Sequence, residues 1–327
     1  MDGLTAYQLT LIALGAIGFG IWLLVKGGDV TIAAAVRIAE SSGLSKLFIA
    51  ATIVAFGTSA PELFTSVNAN LSGFPGISVG NVIGSNIANV LVVVGVSAVI
   101  APVLIDRREV RVDTWMMVFA TLAMAAAVWA GSLPTWAGLA MIGTIVAYVV
   151  CQYRASRIDV EEDETDEPLA GNPYVLVTVG ITTLVLGSEI LVQGAVAGGH
   201  ALGVPEAVIG MTVIAFGTSL PELTACVAAA RKGQSDMIVG GIVGSNIFNI
   251  LSVMAISAAL KPLIIEPRFA TIDLPVVLVV TAVFTVFLLT IGRIGRTAGI
   301  AMIAAYLAFV AVQYGWSPEI HAGLVAP

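Results

Sequence analysis

The chain contains two copies of the same pair of sequence blocks. AFGTSAPEL at Ala55–Leu63 recurs as AFGTSLPEL at Ala215–Leu223, and GNVIGSNIANVL at Gly80–Leu91 recurs as GGIVGSNIFNIL at Gly240–Leu251. Both recurrences fall 160 residues downstream, so the order and the spacing of the blocks are preserved. A repeat of this kind indicates that each half of the chain is built as the same structural unit.

Long apolar runs surround these blocks and identify a membrane protein. Of the 327 residues, 58% are hydrophobic and only 11% are charged, with a mean hydropathy of +1.01, whereas an ordinary soluble chain carries about a quarter charged residues. A bilayer core of about 30 Å needs roughly 20 apolar helical residues per crossing. We predict ten such spans, approximately Thr10–Lys26, Leu47–Asn70, Ile77–Leu104, Thr114–Ala130, Trp136–Tyr153, Tyr174–Gln193, Glu206–Ala230, Met237–Leu260, Leu274–Ile291 and Ala298–Tyr314.

The basic residues predict which way the spans run. Lys and Arg concentrate in cytoplasmic loops. With both termini outside, the inside loops hold twelve of the fourteen basic residues, and only Lys261 and Arg268 lie outside. Five spans per copy is an odd number, so the second copy must enter the membrane from the opposite side. The predicted fold is therefore an all-α integral membrane protein of the cell (inner or plasma) membrane, with ten transmembrane helices forming two inverted five-helix repeats.

The predicted organisation has three parts. Residues 1–153 form the first repeat, residues 154–173 an acidic cytoplasmic linker, and residues 174–327 the second, inverted repeat. The formal net charge of the chain is -7, and the seven acidic residues between Asp159 and Glu167 account for it. We predict a solvated hinge there, because adjacent carboxylates repel. Inverted repeats are typical of secondary transporters, whose sites lie near the bilayer midplane where the two copies meet.

The first repeated block places a carboxylate beside a predicted helix break. Pro61 and Pro221 each remove a backbone donor and clash with the preceding turn, so the helix should kink or break there. Backbone groups freed at membrane depth are tolerated only in protein or against a wet cavity. Glu62 and Glu222 follow directly, and a carboxylate inside a membrane is costly unless it is paired, protonated or functional. Their symmetry, and the lack of basic residues in these spans, favour a functional site over two protonated structural contacts.

The second block supplies hydroxyl and amide oxygens. In both copies it places Ser and Asn four residues apart on one helical face, as Ser85 and Asn89 and as Ser245 and Asn249. We predict that these four side chains are ligands. For Asn86 and Asn246, ligation and interhelical contact are equal alternatives. The glycines of the block indicate helix packing. An all-oxygen set suits a hard cation such as calcium. The two cysteines, Cys151 and Cys226, are expected to be small core residues, and no transition-metal site is predicted.

GTSxPEL followed by GSNIxN in two inverted halves resembles the α-repeats of the cation/calcium antiporter superfamily, specifically of the prokaryotic sodium/calcium exchangers. The resemblance covers nearly the whole chain. It implies a secondary antiporter, not an enzyme, which exchanges sodium for calcium across the membrane by alternating access. The implied partners are calcium ions, sodium ions and the lipid bilayer, with no cofactor, no nucleic acid and no obligate protein partner.

The resemblance also implies roles for individual residues. Glu62 and Glu222 would bind calcium, helped by the carbonyls or hydroxyls of Thr58 and Thr218. Further side chains and carbonyls would line the sodium sites or border the central site: Ser59, Ser85, Ser219 and Ser245 with the carbonyls of Ala55 and Ala215 for sodium, and Asn89 and Asn249 at the centre.

One position departs from some relatives, which have Asp where this chain has Asn249. The site then holds two formal negative charges, from Glu62 and Glu222. One calcium ion would be neutralised by them, whereas three sodium ions, the number that the resemblance implies, would leave one net positive charge. The exchange is therefore expected to be electrogenic.

Other mechanisms remain as alternatives. Proton/calcium antiporters of the same superfamily typically carry an acid in a GNxxE-type block, where this chain has GNVIG and GGIVG. A passive cation channel would conduct without a counter-ion. An intramembrane hydrolase would need a base for Ser59 or Ser219, and neither His200 nor His321 lies in a predicted span.

Overall fold

The computed structural model describes residues 6–156, 171–201 and 217–315, and this part of the chain is almost entirely helical. The predicted acidic linker run Asp159–Glu167 and the predicted ligand Ala215 lie outside the described residues. The helices within these ranges are α1 Ala6–Ser42, α2 Lys46–Thr58, α3 Ala60–Leu71, α4 Pro75–Ile100, α5 Arg111–Ala130, α6 Thr135–Ala155, α7 Pro173–Ala201, α8 Leu220–Arg231, α9 Ser235–Leu260, α10 Arg268–Thr271, α11 Asp273–Ile291 and α12 Arg296–Gly315.

Fewer membrane spans than the predicted ten are found in the described ranges. Seven helices are long and apolar enough to cross a membrane, and the pair α2 and α3, bent by 45° at their junction, makes an eighth. The apolar part of α12, Arg296–Val312, is shorter than the others. The predicted seventh span, Glu206–Ala230, is described only from residue 217, where α8 contributes twelve residues. The described part of the chain is thus an all-helical membrane fold with seven to eight apolar spans.

Two helices extend beyond the predicted ends. The prediction ends the first span at Lys26 and the sixth at Gln193, but α1 continues to Ser42 and α7 to Ala201. Along the extension of α1, Ile32 is buried in the core, together with Ala35 and Ile38. The charged Lys26 therefore does not end the helix, because it lies on an exposed face while the other face packs against protein.

Helices α4 and α9, which carry the GSN blocks, lie at the centre of the molecule. All of the most apolar stretch of α9 is buried, whereas only 22% of the corresponding stretch of α6 is. The outer helices present large apolar side chains, including Trp129 and Trp136 at the turn between α5 and α6, as expected for lipid-facing surfaces and their aromatic belts. Cys226 is buried as predicted, but the prediction for Cys151 is wrong, because this residue lies on the exposed side of α6.

Glycines of the second repeated block let α9 approach α2 closely. A Cβ atom on Gly244 would collide with the backbone of Ala51, and one on Gly240 would lie 2.5 Å from the carbonyl oxygen of Leu47. Helix packing is therefore confirmed for these two glycines. For Gly84 in the first copy, the segment equivalent to α2 lies outside the described residues.

Two short antiparallel ladders join parts of the chain that are far apart in sequence. β1 (Val103–Leu104) pairs with β4 (Arg293–Ile294), and β2 (Ser132–Leu133) pairs with β3 (Leu263–Ile264). Because α5 runs from the end of β1 to the start of β2, the two ladders lie at opposite ends of that helix. Each ladder combines one strand from each predicted repeat.

A buried asparagine ties α3 to the end of α9. The amide nitrogen of Asn70 donates to the carbonyl oxygens of Ser257 at 2.9 Å and Lys261 at 2.7 Å, and Lys261 Nζ donates to the carbonyl oxygen of Asn70 at 3.2 Å. The carbonyl of Ser257 also accepts the backbone N–H of Lys261 at 3.1 Å, so the Asn70 amide gives it a second donor, and it supplies a donor to the carbonyl of Lys261 just beyond the end of α9. The repeat equivalent of Asn70 is Ala230, so only the first repeat has this connection.

We expect Asn70→Ala to lower the free energy of unfolding by roughly 1–3 kcal/mol, because the two hydrogen bonds that its amide donates to the carbonyls of Ser257 and Lys261 are lost. The measurement is the thermal melting temperature of the purified protein in detergent. Asn68→Ala, at an exposed position of the same helix, is the control and should melt near the wild-type temperature. Equal melting temperatures for the two variants would contradict the proposed tie.

Candidate functional site

Both copies of the first block form a helix break at the serine before the proline. Ser59, with φ -80° and ψ 8°, separates α2 from α3, and Ser219, with φ -88° and ψ 5°, precedes α8. The predicted break is therefore confirmed in each copy. It falls at the serine because proline is favoured in the first turn of a new helix, where its missing N–H is not needed.

The break positions Glu62 in the first turn of α3 and Glu222 in the first turn of α8. Their side chains are 1% and 3% exposed. The N-terminus of a helix carries a partial positive charge, which stabilises a carboxylate placed there. The helices that form the site, α2, α3, α4, α8 and α9, contain no Lys, Arg or His within residues 47–100, 220–230 and 237–260. The site therefore concentrates negative charge without an adjacent basic residue on those segments.

The two carboxylates are bound reciprocally by serines of the opposite repeat. Ser59 Oγ donates a hydrogen bond to Glu222 Oε1 at 3.0 Å, and Ser219 Oγ donates to Glu62 Oε1 at 3.4 Å. Each bond joins residues more than 150 positions apart. The site therefore lies where the two halves of the chain meet and needs both of them.

The asparagines of the second block form two interhelical amide pairs. Asn89 Nδ2 donates to Asn246 Oδ1 at 3.1 Å, and Asn249 Nδ2 donates to Asn86 Oδ1 at 3.2 Å. Of the two alternatives for Asn86 and Asn246, the structure places their side-chain oxygens in interhelical hydrogen bonds. Because the amide nitrogens of Asn89 and Asn249 are used in these pairs, their oxygens are the atoms left for a ligand.

Asn89 and Asn249 also begin π-helical turns, Asn89–Val94 in α4 and Asn249–Met254 in α9. Such turns interrupt the regular backbone ladder and occur often at functional sites. The two interruptions lie at equivalent positions of the repeat, next to the buried carboxylates. The wider turn thus begins at the residue whose oxygen is free.

Several buried oxygens at the site have no hydrogen-bond partner among the described residues. They come from carboxylates, amides and hydroxyls of both repeats: Glu62 Oε2, Glu222 Oε2, Asn89 Oδ1, Asn249 Oδ1, Thr218 Oγ1 and Ser245 Oγ. An unpaired buried polar atom is costly, and a cluster of them requires an explanation such as a bound ion or water. All six are hard oxygen ligands, which suit a calcium or sodium ion.

Other predicted ligands have different surroundings. The carbonyl oxygen of Ala55 accepts from the backbone N–H of Ser59 at 3.1 Å and from Thr58 Oγ1 at 3.3 Å, so in this structure it is already paired. Thr58 is 2% exposed and lies in a small cavity beside Glu222. Ser85 is buried on α4, in the same turn as Asn86 and one turn before Asn89.

One residue that contacts Glu62, Asn81, is not among the predicted ligands. Asn81 Nδ2 donates to the carbonyl oxygen of Glu62 at 3.3 Å and to Ser66 Oγ at 2.9 Å. The repeat itself indicates that this pair is special, because the second copy has Gly241 at the position of Asn81 and Cys226 at the position of Ser66. A polar pair in only one of two otherwise matching copies indicates a local difference between the halves.

Comparison with known proteins finds a matching family model, similar sequences and a similar fold. A family model described as sodium/calcium exchanger protein matches residues 12–154 and 172–315. The chain is 31% identical to the putative antiporter CaxA of Alkalimonas amylolytica, over 90% of this chain and 95% of the relative, and 28% identical to the sodium/calcium exchanger MaX1 of Methanosarcina acetivorans, over 81% and 87%. It is also similar to a solved structure of the sodium-calcium exchanger NCX_Mj, with 31% identity and a TM-score of 0.81 over 92% of this chain and 99% of that one.

Proposed function

This chain belongs to the sodium/calcium exchanger family, as a prokaryotic member of the cation/calcium antiporter superfamily. On that basis we propose that it exchanges sodium for calcium across the cell membrane by alternating access. Members of the family are integral membrane exchangers of cations and calcium rather than enzymes. The observation that carries the sodium-coupled mechanism is the cluster of buried, unpaired oxygens shared by the two repeats.

Calcium is the ion that the two carboxylates neutralise. Glu62 and Glu222 each offer an unpaired oxygen, and together they carry the two negative charges that balance one Ca²⁺. Calcium takes six to eight oxygens at 2.3–2.6 Å in adaptable geometry. The amide oxygens of Asn89 and Asn249, with nearby hydroxyls, supply neutral oxygens to complete the shell.

Sodium uses the same carboxylates together with the hydroxyl and carbonyl oxygens around them. The hydroxyls of Ser59 and Ser219 touch Glu222 and Glu62, and each hydroxyl keeps lone pairs for a monovalent ion. Calcium and sodium therefore compete for shared ligands, so the loaded carrier holds one or the other. An empty carrier would expose two buried charges to the membrane interior, which is costly. Both effects favour exchange over leak.

The proposed exchange is electrogenic. One calcium ion leaves the site neutral, whereas three sodium ions leave one net positive charge on the loaded carrier. The membrane potential then changes the free energy of moving the sodium-loaded form across the membrane by about 2.3 kcal/mol per elementary charge per 100 mV. The potential should change the rate of exchange in either direction.

We further propose the complete architecture of two inverted five-helix repeats, residues 1–153 and 174–327, with the acidic linker 154–173 inside and both termini outside. The supporting observations are the ladders at opposite ends of α5 and the reciprocal serine–carboxylate bonds. The shorter α12 and the partly described seventh span would bring the described spans to ten. Cysteine labelling from each side of the membrane tests this topology.

A calcium-flux assay tests the coupling ion. In proteoliposomes loaded with sodium, calcium uptake should rise at least about tenfold over liposomes with equal sodium on both sides, because uptake would be driven by the sodium gradient. An inside-positive potential, set with potassium and valinomycin, should raise this uptake, and an inside-negative potential should lower it, because the exit of three sodium ions against the entry of one calcium ion moves net positive charge outward. Proton-driven uptake that ignores sodium would instead indicate the proton antiport alternative.

A further inference from the structure

The second repeat has a cavity at the place where the first repeat has an asparagine. In the first repeat, Asn81 occupies the space between Ser66 and the backbone of Glu62. In the second, the equivalent of Asn81 is Gly241, and the equivalent of Ser66 is Cys226. A Cβ atom built on Gly241 would meet only Cys226 Sγ, at 4.0 Å. The second repeat therefore replaces a filled polar contact by open space beside a thiol.

This cavity reaches the candidate ion site. The residues that line it include Cys226, Glu222, Thr58 and Ser245. Two of the oxygens, Glu222 Oε2 and Ser245 Oγ, are unpaired among the described residues, and both residues are at least nine-tenths buried. Cys226 lies one helical turn after Glu222 on α8, so the thiol and the carboxylate share a face of the helix.

We propose that this cavity binds a thiophilic divalent cation, with Cys226 and Glu222 as ligands, and that the bound cation blocks exchange. The inference rests on the proposed function, since the cation must reach Glu222 by the route that calcium takes. A soft cation prefers thiolate over oxygen ligands, whereas calcium gains nothing from sulfur. On binding, the Cys226 thiol loses its proton to the aqueous medium as the sulfur–metal bond forms.

The ligand set explains why such a cation would inhibit rather than act as a resident metal. Among the described residues there is no group of three or more His, Cys, Asp and Glu side chains that could hold a metal. The cavity offers one thiol and one carboxylate with hydroxyls, and the carboxylate is one that calcium also needs. A cation held there by sulfur would occupy Glu222 and prevent this carboxylate from binding and releasing calcium during the transport cycle.

The test uses cadmium with the full-length protein in proteoliposomes. For each protein, sodium-dependent calcium flux is measured over a range of Cd²⁺ and normalised to its own flux without Cd²⁺. Cys226→Ser places in the second repeat the residue that the first repeat has, and Cys151→Ser is the matched control at an exposed site. We expect Cys226→Ser to raise the half-inhibiting cadmium concentration at least roughly tenfold, because loss of a partner beyond the direct ligands already costs about 10- to 100-fold in metal affinity, and we expect Cys151→Ser to leave it unchanged.

A second variant separates the thiol from the cavity. Gly241→Asn keeps Cys226 but fills the space in the way that Asn81 does in the first repeat, so it should weaken cadmium inhibition to a similar extent. Equal inhibition of wild type and Cys226→Ser would overturn the proposal, because cadmium would then act through the carboxylates alone. Inhibition unchanged in Gly241→Asn would also overturn it, by showing that the cation does not occupy the cavity.

An optical measurement tests cadmium binding without relying on the proposed transport function. In detergent, Cys151→Ser should develop the ultraviolet thiolate-to-cadmium absorption of one cysteine, whereas Cys151→Ser with Cys226→Ser should not. This readout needs no transport. If the wild type shows no sodium-dependent calcium flux but the absorption appears, the proposed function fails while the cadmium site stands; if the absorption is absent, the cadmium site fails.

Discussion

Glu62→Gln and Glu222→Gln should each abolish sodium-dependent calcium exchange while leaving a folded protein in the membrane. Glutamine keeps the shape of the side chain and an oxygen to accept the hydrogen bond that the opposite serine now donates. It removes one of the two charges that balance Ca²⁺. Loss of a metal-site partner beyond the direct ligands already costs roughly 10- to 100-fold in affinity, so removal of a charged direct ligand should cost at least as much.

Two measurements distinguish loss of binding from loss of folding. Calcium flux in proteoliposomes reports transport, and the rise in melting temperature on adding calcium reports binding, since a ligand stabilises the state that binds it. The variants should lose both responses but should melt without calcium at or above the wild-type temperature, because a neutral amide is less costly to bury than a carboxylate. Glu109→Gln, at an exposed loop position outside the helices, is the control. Normal exchange by either site variant would refute the assignment.

Asn249→Asp should make calcium exchange dependent on pH, with slower flux as the pH rises. The change adds a third carboxylate near Glu62 and Glu222, and three close carboxylates cannot all ionise cheaply. At low pH one of them holds a proton, so the variant should approach wild-type flux. At high pH the extra charge should retain calcium or bind a further monovalent cation, and release should slow by about tenfold, which corresponds to about 1.4 kcal/mol.

This substitution also requires a change in the hydrogen bond between Asn249 and Asn86. Asn249 now donates its amide hydrogen to Asn86 Oδ1 at 3.2 Å, and aspartate has no donor, so the amide of Asn86 must turn and donate instead. Asn249→Ser is the control, because it breaks the amide pair without adding charge. Calcium flux is measured across pH with and without potassium, which should be dispensable for the wild type. Wild-type flux that disappears without potassium, or a pH response shared by Asn249→Ser, would contradict the role given to this residue.

The membrane class, the family and the repeated blocks follow from the sequence because each depends on local or repeated chemistry. Long apolar runs need no tertiary information to indicate spans. The helix breaks at Ser59 and Ser219 follow from the prolines that come two residues later, since proline constrains the backbone wherever it stands. The symmetry between Glu62 and Glu222 is likewise visible as an offset of 160 residues.

The ends of the helices were less accessible to sequence reasoning. The prediction stops the first span at Lys26, whereas α1 continues to Ser42 because one of its faces packs in the core. Cys151 and Cys226 look alike in sequence, each within an apolar run, yet one is exposed and the other lies beside Glu222. Hydropathy describes composition along a helix and does not say which face meets lipid.

The sequence by itself determined that the protein has two equivalent sets of acidic, hydroxyl and amide residues suited to hard cations. Only the tertiary structure decided which of their atoms are free. Asn86 and Asn246 use their oxygens to hold Asn249 and Asn89, and the carbonyl of Ala55 is already paired. The physical reason is that a hydrogen bond occupies part of a group's capacity to bind a ligand. For Asn86 and Asn246 the partner that does so lies in the other half of the chain, more than 150 residues away, where no local sequence pattern can indicate it.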